Sequence, residues 1–307
     1  MQPAQSFSLS LRRLLAAVAA VGLRISSLAS AASSSSSSLS SSSSESGPAT
    51  FGNVKSADGE CVVGNPNAYI STAYVDWVWK HRMQTDVVAY KNWIFDQLVA
   101  NNGSLNYCVR WDSTESLSKS VASKFEDILN RQFKAWNHWL IGYDCWPFEE
   151  IDVKVVGFAT NDTSLFDWTD NSLGTIYSNP EDSDEGFDMS LWLTKGLGGG
   201  YGYDWGQQVD WDNFLAQIDD DQLQILAHEI GHGFGLPDFY ESTDKPADDF
   251  PDCIMEAGAS MTITPGDGWM LRRALKHMKS RYDFRSEVMS NVVSEGGASN
   301  TVVFVKP

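Results

Sequence analysis

The residues best suited to do chemistry lie in the run His-Glu-Ile-Gly-His-Gly-Phe-Gly-Leu-Pro-Asp, which ends at Asp238. His228 and His232 are four positions apart and fall on one face of an α-helix, where two imidazoles can share a zinc ion. Glu229 lies on the same turn, close enough to polarise a water on the metal without being a ligand. Gly235 can end the helix in a left-handed conformation and turn the chain back. The turn would present Asp238 as a third ligand and leave a fourth position for water.

The alternative is a surface helix with solvated histidines, followed by an ordinary turn. Five fixed positions within such a run recur by chance at roughly one in ten million starting points, at ordinary residue frequencies. The pattern therefore favours a metal site.

These residues resemble the extended motif of the metzincin zinc endopeptidases, His-Glu-x-x-His-x-x-Gly-x-x-His/Asp. With Asp in the third place, inside Gly-Leu-Pro-Asp-x-Tyr, the run is similar to the snapalysin-like branch. The resemblance implies His228, His232 and Asp238 as zinc ligands and Glu229 as the general base. It also implies a zinc-dependent endopeptidase that acts on protein or peptide substrates.

The resemblance further implies a Met-turn downstream, and Asp-Cys-Ile-Met-Glu-Ala-Gly, with Met255 at its centre, fits that role. Met255 would form an apolar floor beneath the metal, although methionines are more commonly core filler. Several metzincins carry a tyrosine two residues after this methionine, where this chain has Ala257. Tyr240 is close to Asp238 in sequence, but a tyrosine next to Phe239 is more often a packing residue. The residue that stabilises the oxyanion is left open.

Periodicity along the chain predicts an α+β domain. Alternating β-formers predict strands over 105–111, 151–159 and 189–194, and three-and-four spacing predicts helices over 74–83, 91–100 and 117–141. The zinc-binding helix is predicted to begin at Asp220 or Asp221, and a final helix at Gly268 or Trp269. The metzincin resemblance implies a mixed sheet with a long backing helix, an active-site helix and a C-terminal helix after the Met-turn.

The first part of the chain has the features of an export signal. Arg12 and Arg13 precede an apolar run over 14–23, and Ala-Ser-Ala ending at Ala31 matches a signal peptidase site. The apolar run is too short to span a membrane permanently. We expect a secreted protein with a signal peptide (1–31), a serine-rich linker (32–50), an N-terminal helical extension (51–104) and a metzincin-like catalytic domain (105–307).

The formal net charge of the chain is −18. Such an acidic protein is repelled by phosphate backbones and by anionic lipid surfaces. We therefore expect neither nucleic acid nor a membrane among its partners.

Four cysteines in an exported chain predict two disulfides. Three pairings are possible. We favour Cys61 with Cys108 and Cys145 with Cys253, because the second bridge would tie down the Met-turn. The chain also has N-glycosylation acceptors at Asn102 and Asn161, which apply in a eukaryotic host.

An acidic loop offers Asp182, Asp184 and Asp188 as oxygen ligands for calcium. Without the spacing of an EF-hand, a solvated loop is the favoured interpretation. The glycine-rich stretch 196–202 has no Lys-Ser/Thr ending, so it is not a phosphate-binding loop, and we interpret it as a flap beside the cleft.

The competing functional hypothesis is a secreted carbohydrate-associated binding protein. Twelve tryptophans and ten tyrosines could supply stacking platforms for sugar rings. The tryptophans closest in sequence to the expected cleft are Trp168, Trp192, Trp205 and Trp211.

Overall fold

The computed structural model describes Pro66 and residues 69–179 and 186–282. The predicted signal peptide (1–31), the serine-rich stretch (32–50), Cys61, Asp182, Asp184 and residues 283–307 lie outside the described residues. The described residues belong to one compact unit. Among the described residues, no helix is long and apolar enough to cross a membrane.

The architecture is α+β, as predicted, and is built on a mixed sheet of six strands. The strands lie in the order β3-β2-β1-β4-β6-β5, and β5 alone runs antiparallel to its neighbour. Strand β5 therefore forms one edge of the sheet and β3 the other. The strands are β1 (Ser104–Asp112), β2 (Asp152–Thr160), β3 (Thr175–Tyr177), β4 (Met189–Thr194), β5 (Gly200–Tyr203) and β6 (Gly206–Asp210).

Three short helices precede the sheet, and a π-helical segment separates the first two. They are α1 (Thr72–Val78), the π-helix (Trp79–Met83), α2 (Gln84–Ala89) and α3 (Ile94–Ala100). The later helices are α4 (Lys119–Ala122), α5 (Phe125–Asn137), α6 (Trp211–Ala216), α7 (Gln224–Gly233) and α8 (Pro265–Met278). Short 3₁₀ turns cover Thr163–Leu165, Ser242–Asp244 and Lys279–Arg281.

Helices α5 and α7 pack on one face of the sheet and carry most of the core contacts near the candidate site. Tyr107 of β1 meets Phe133 of α5 edge to face at 6.0 Å between ring centres, and Phe133 lies 6.4 Å from Phe234 at the end of α7. The indole N–H of Trp136 donates to the carbonyl of Ala227 at 2.9 Å. This buried hydrogen bond fixes α7 against α5.

The predicted strands over 105–111, 151–159 and 189–194 are confirmed to within one residue at each end. The long helix predicted over 117–141 is wrong in extent. It is two helices, and the first is capped by Ser118, whose hydroxyl accepts from the Val121 N–H at 3.2 Å. Helix α5 ends before Gly142. Asp144 and Cys145, which follow, have positive φ angles that an α-helix does not accommodate.

Two predicted helix starts are also wrong. Helix α7 begins at Gln224, after the aspartates, because side chains from elsewhere take its first free N–H groups: Gln132 accepts from Leu223 and Gln217 accepts from Gln224. Helix α8 begins at Pro265, because Thr264 and Asp267 form a capping box ahead of Gly268.

The predicted disulfides are corrected by the structure. Cys145 is disulfide-bonded, whereas Cys108 and Cys253 are buried free thiols. The Cys145–Cys253 pairing is therefore wrong, and so is a bridge at Cys108. Cys108 lies in the central strand β1 and Cys253 lies beneath the turn that precedes Met255, where each thiol fills the core as a small apolar side chain. Burial raises the pKa of Cys108 to about 11.

Candidate metal centre

Helix α7 carries three of the candidate site residues into a buried position. Leu226, Ala227 and Ile230 pack into the core, and they leave His228, Glu229 and His232 facing the cleft at the edge of the sheet. The metal-ligating atoms of these three side chains all lie within 4.8 Å of one another.

The turn after α7 brings Asp238 back to the histidines. Gly235 has a φ of +88°, its N–H donates to His232 O at 2.8 Å, and Leu236 N–H reaches back to Gly231 O at 3.1 Å. This geometry is the helix-ending turn that favours glycine, as predicted from the sequence. Beyond the turn, Phe239 N–H donates to Met255 O at 3.1 Å, which ties the Asp238 segment to the predicted Met-turn.

Three ligand atoms converge at the mouth of the cleft. Asp238 Oδ1 lies 3.1 Å from His228 Nε2 and 3.3 Å from His232 Nε2. Two ligands bound to one tetrahedral zinc at 2.0–2.2 Å are separated by about 3.3 Å, so these spacings fit a shared ion. Asp238 is closer to His232 than Glu229 is, since Glu229 Oε2 is 3.8 Å from His232 Nε2. The structure thus brings the three predicted ligand residues, His228, His232 and Asp238, together.

Backbone carbonyls fix the orientation of both imidazoles. His228 Nδ1 lies 2.7 Å from Ile254 O, and His232 Nδ1 lies 2.8 Å from Leu236 O. A carbonyl oxygen can only accept, so each Nδ1 carries a proton. Without a metal, a protonated Nε2 can donate to Asp238, whereas a neutral imidazole would offer its Nε2 lone pair to an ion. Carbonyl partners of this kind orient metal-binding histidines in proteins.

The pKa values of the two carboxylates in the cluster, Glu229 and Asp238, shift in opposite directions. Burial raises the pKa of Glu229 to about 7, although the two histidines oppose the shift. Burial would also raise the pKa of Asp238, but its hydrogen bonds with His228 and His232 outweigh burial and lower it. Burial lowers the pKa of His228, but its contacts with Asp238 and Glu229 raise it overall. One carboxylate is therefore held ionised, and the other is suited to exchange a proton near neutrality.

Met255 lies directly under α7 and is fully buried. A Cβ atom on Gly231 would collide with the Met255 sulfur. The absence of a side chain at this glycine, between the two histidines, therefore leaves room for the thioether. The Met-turn is held in turn by Asp267 of α8, whose carboxylate accepts from Ile254 N–H at 2.9 Å and from Thr264 N–H at 2.8 Å. Sequence reasoning missed Asp267, although Thr-x-x-Asp at 264–267 is a capping-box signal.

Tyr240 reaches the cluster from the Asp238 segment. Its hydroxyl lies 3.3 Å from His228 Nε2, and its ring is nearly parallel to the imidazole. The side chain is 53% exposed and lines the cleft. Burial and the neighbouring Asp238 raise the pKa of Tyr240, so its hydroxyl stays protonated as a donor.

Strand β5 and the N-terminal helices form the walls of a cleft of about 910 Å³ over these residues. Gly200 and Gly202 let the strand approach α7: a Cβ atom on Gly200 would be 2.6 Å from Glu229 Oε1, and one on Gly202 would collide with the Glu229 carbonyl. The end of the stretch interpreted as a flap, residues 200–202, is thus part of the edge strand. Arg82, Tyr90 and Trp93 also line the cleft, and no sequence signal had linked them to it.

Of the three candidate calcium ligands, the structure describes Asp188. Its carboxylate accepts from Asn106 N–H at 2.8 Å, and its own N–H donates to Asn106 O at 2.8 Å. Asp188 therefore ties the start of β4 to β1.

In comparisons with known proteins, no protein-family model and no curated protein matched this chain.

Proposed function

We propose that the chain is a secreted, zinc-dependent endopeptidase of metzincin-like, snapalysin-like type. The observation that carries the proposal is the convergence of His228 Nε2, His232 Nε2 and Asp238 Oδ1 at spacings suited to one zinc ion. The raised pKa of the adjacent Glu229 and the buried methionine beneath the helix support the same interpretation. The substrates would be proteins or peptides.

A zinc ion held by these side chains would supply Lewis acidity and make a bound water nucleophilic near neutral pH. Glu229 would accept the proton of the attacking water and deliver it to the leaving amine, so that hydrolysis yields one carboxylate and one amine. A carboxyl group whose pKa is about 7 can serve in both directions near neutral pH.

Tyr240 would donate a hydrogen bond to the developing oxyanion. The Met-turn offers Ala257 where several metzincins have a tyrosine, whereas the Tyr240 hydroxyl faces the cleft 3.3 Å from His228 Nε2. A preorganised donor at that position stabilises charge that appears in the transition state.

The open edge of β5 supports binding of an extended peptide. Asp210 N–H donates to Gly199 O at 2.8 Å, and inward and outward hydrogen bonding alternates along an antiparallel strand. Gly200 and Gly202 therefore direct their N–H and C=O groups to the open edge, beside Glu229. A substrate strand would pair there through its main chain.

Secretion remains part of the proposal and is supported by several features. The sequence has a signal-peptide pattern at 1–31, and Cys145 is disulfide-bonded, which is typical of oxidising compartments. Both N-glycosylation acceptors, Asn102 and Asn161, are exposed.

The carbohydrate-binding alternative has less support. Trp168 and Trp211 are buried in the core, and Trp205, which is 42% exposed, stacks on Tyr203 at 4.6 Å with nearly parallel rings. The Tyr203 ring covers one face of Trp205, which leaves at most one face of that ring for a sugar.

Hydrolysis of casein by the purified protein tests the proposal. We expect activity that is lost with a zinc chelator and restored by added zinc. The Glu229→Ala variant should lose at least the roughly 100- to 10,000-fold contributed by a general base, while it keeps its zinc. Chelator-insensitive hydrolysis, or a Glu229→Ala variant with appreciable turnover, would contradict the proposal.

A further inference from the structure

Arg82, in the π-helix between α1 and α2, extends to the segment that carries Asp238. Its Nη2 donates to the Asp238 carbonyl at 3.1 Å and its Nη1 to the Asp244 carbonyl at 3.0 Å. The same Nη1 lies 2.8 Å from Asp244 Oδ1, and the guanidinium carbon is 5.8 Å from the centre of the Phe239 ring. One side chain therefore binds two backbone carbonyls, a carboxylate and a ring of the segment 238–244.

The segment that Arg82 holds is irregular. Leu236 N–H bonds to Gly231 O and Phe239 N–H to Met255 O, and these bonds fix the chain on either side of the candidate ligand. The peptide carbonyl of Asp238 itself is held by Arg82. The Asp238 carboxylate projects toward two imidazole nitrogens from this backbone, so loosening the backbone would loosen the position of the carboxylate.

Several features make the contact between Arg82 and the segment 238–244 rigid. The Arg82 and Asp244 side chains are each 23% exposed, and hydrogen bonds from a charged donor are about twice as strong as neutral ones. The planar guanidinium fixes the distance between the two carbonyls that it bridges. Arg82 projects from a π-helix, in which Gln84 N–H bonds to Trp79 O, and such turns recur at functional sites.

We propose that Arg82 is a positioning residue for the metal centre. Its guanidinium locks the Asp238 peptide so that the Asp238 carboxylate faces His228 and His232 without rearrangement when the ion binds. The proposal rests on the proposed function only in taking Asp238 as a ligand. It gives the N-terminal helices, which lie far from the zinc motif in sequence, a direct part in metal binding.

The test measures metal binding without substrate, in the full-length secreted protein. Arg82→Met keeps the apolar stem of the side chain and removes all of its donors. We expect its zinc affinity, measured by competition with a chelator, to fall about 10- to 100-fold, as for other partners that orient ligands. The visible spectrum of the cobalt(II)-substituted protein should change as well, because the ligand geometry is altered. Arg82→Lys keeps the charge without the fork and should bind zinc with intermediate affinity.

Arg273→Met is the matched control. Arg273 of α8 pairs with Asp76 of α1, so it anchors the same N-terminal helices without touching the Asp238 segment. The control should keep wild-type zinc affinity and an unchanged cobalt spectrum. Equal losses in Arg82→Met and Arg273→Met would overturn the proposal, and so would wild-type affinity and spectrum in either Arg82 variant.

An Asp238→Ala variant in the same series separates the two proposals. If it retains zinc, the assignment of Asp238 as a ligand, on which the role of Arg82 depends, is wrong. If it loses zinc while both Arg82 variants bind normally, only the role of Arg82 fails.

Discussion

Each candidate histidine ligand depends on a carbonyl that the zinc motif does not specify. Ile254 O orients His228 from the Met-turn, and Leu236 O orients His232 from the turn after α7. The two imidazoles are therefore set before any ion arrives, and Asp238 completes the set from a turn. Such preorganisation lowers the conformational cost of binding, because few groups remain to be ordered.

The ligand role of Asp238 can be tested by substitution. Asp238→Ala leaves two histidines, and we expect a loss of zinc affinity greater than the about 10- to 100-fold typical of outer-shell partners. Asp238→His should restore part of the affinity. Zinc per mole after dialysis measures the outcome, with the exposed Asp248→Ala as a control on the same loop. One full equivalent of zinc in Asp238→Ala would show that Asp238 is only a turn residue.

Tyr240→Phe tests the proposed oxyanion donor. We expect kcat to fall by up to about 100- to 1,000-fold, as when one oxyanion donor is removed, while KM and zinc content change little. Steady-state kinetics on a peptide substrate measures both constants. Tyr177→Phe, on the opposite edge strand β3, is the control and should leave kcat unchanged. A loss confined to KM would mean that Tyr240 binds substrate in the ground state.

At the scale of elements, helix α7 and the predicted Met-turn pack closely because residue 231 of α7 is a glycine and has no side chain. Gly231 leaves room for the Met255 sulfur, and Trp136 packs against the same spot. This packing predicts that the effect of Gly231→Ala on the free energy of unfolding depends on whether residue 255 is Met or Ala. Gly231→Ala should destabilise the wild-type protein, because overpacking costs about 1–3 kcal/mol and outweighs a helix-propensity gain of about 1 kcal/mol.

In a Met255→Ala background the same Gly231→Ala change should cost less than in the wild type. The clash with the Met255 sulfur is then gone, and the contact with the Trp136 ring remains, at 3.0 Å. Urea unfolding of the metal-free proteins measures the free energy of unfolding in all four combinations. Equal effects of Gly231→Ala in both backgrounds would mean that the two residues do not interact.

Sequence patterns located the candidate ligands and three of the six strands, because both signals are local. His228, His232 and Asp238 lie on one helix and one turn, and Val-Lys-Val-Val in β2 is a run of strong β-formers. The start of α7 was wrong because its capping partners are distant side chains, Gln132 and Gln217. No local pattern announces such long-range contacts, and this is also why Arg82 and the approach of β5 to α7 were missed.

At the scale of the whole molecule, the number of cysteines does not predict which of them form disulfides. An even number of cysteines in a chain expected to be exported predicted complete pairing, yet Cys108 and Cys253 are core residues. We expect both to resist alkylation in the native protein and to be alkylated after unfolding without a reductant, because burial raises their pKa values and blocks access.

Peptide mass spectrometry of the two samples checks this expectation at each site. The peptide of Cys145 should carry no alkyl group in either sample, since that residue is disulfide-bonded. Finding Cys108 or Cys253 in a disulfide-linked peptide would contradict the prediction.

The hydrogen bonds from the Met-turn to Asp267 have a consequence for the synthesis of the chain. The ligands end at Asp238, but the carboxylate that holds Ile254 and Met255 is on α8, further along the chain. A nascent chain that has emerged only as far as the zinc motif lacks this acceptor. The floor of the centre is therefore completed late in translation, after every candidate ligand has left the ribosome. The protein is proposed to cut peptide bonds. This order of synthesis means that its site is completed only once the rest of the chain can fold, and folding protects the chain from cleavage by its own site.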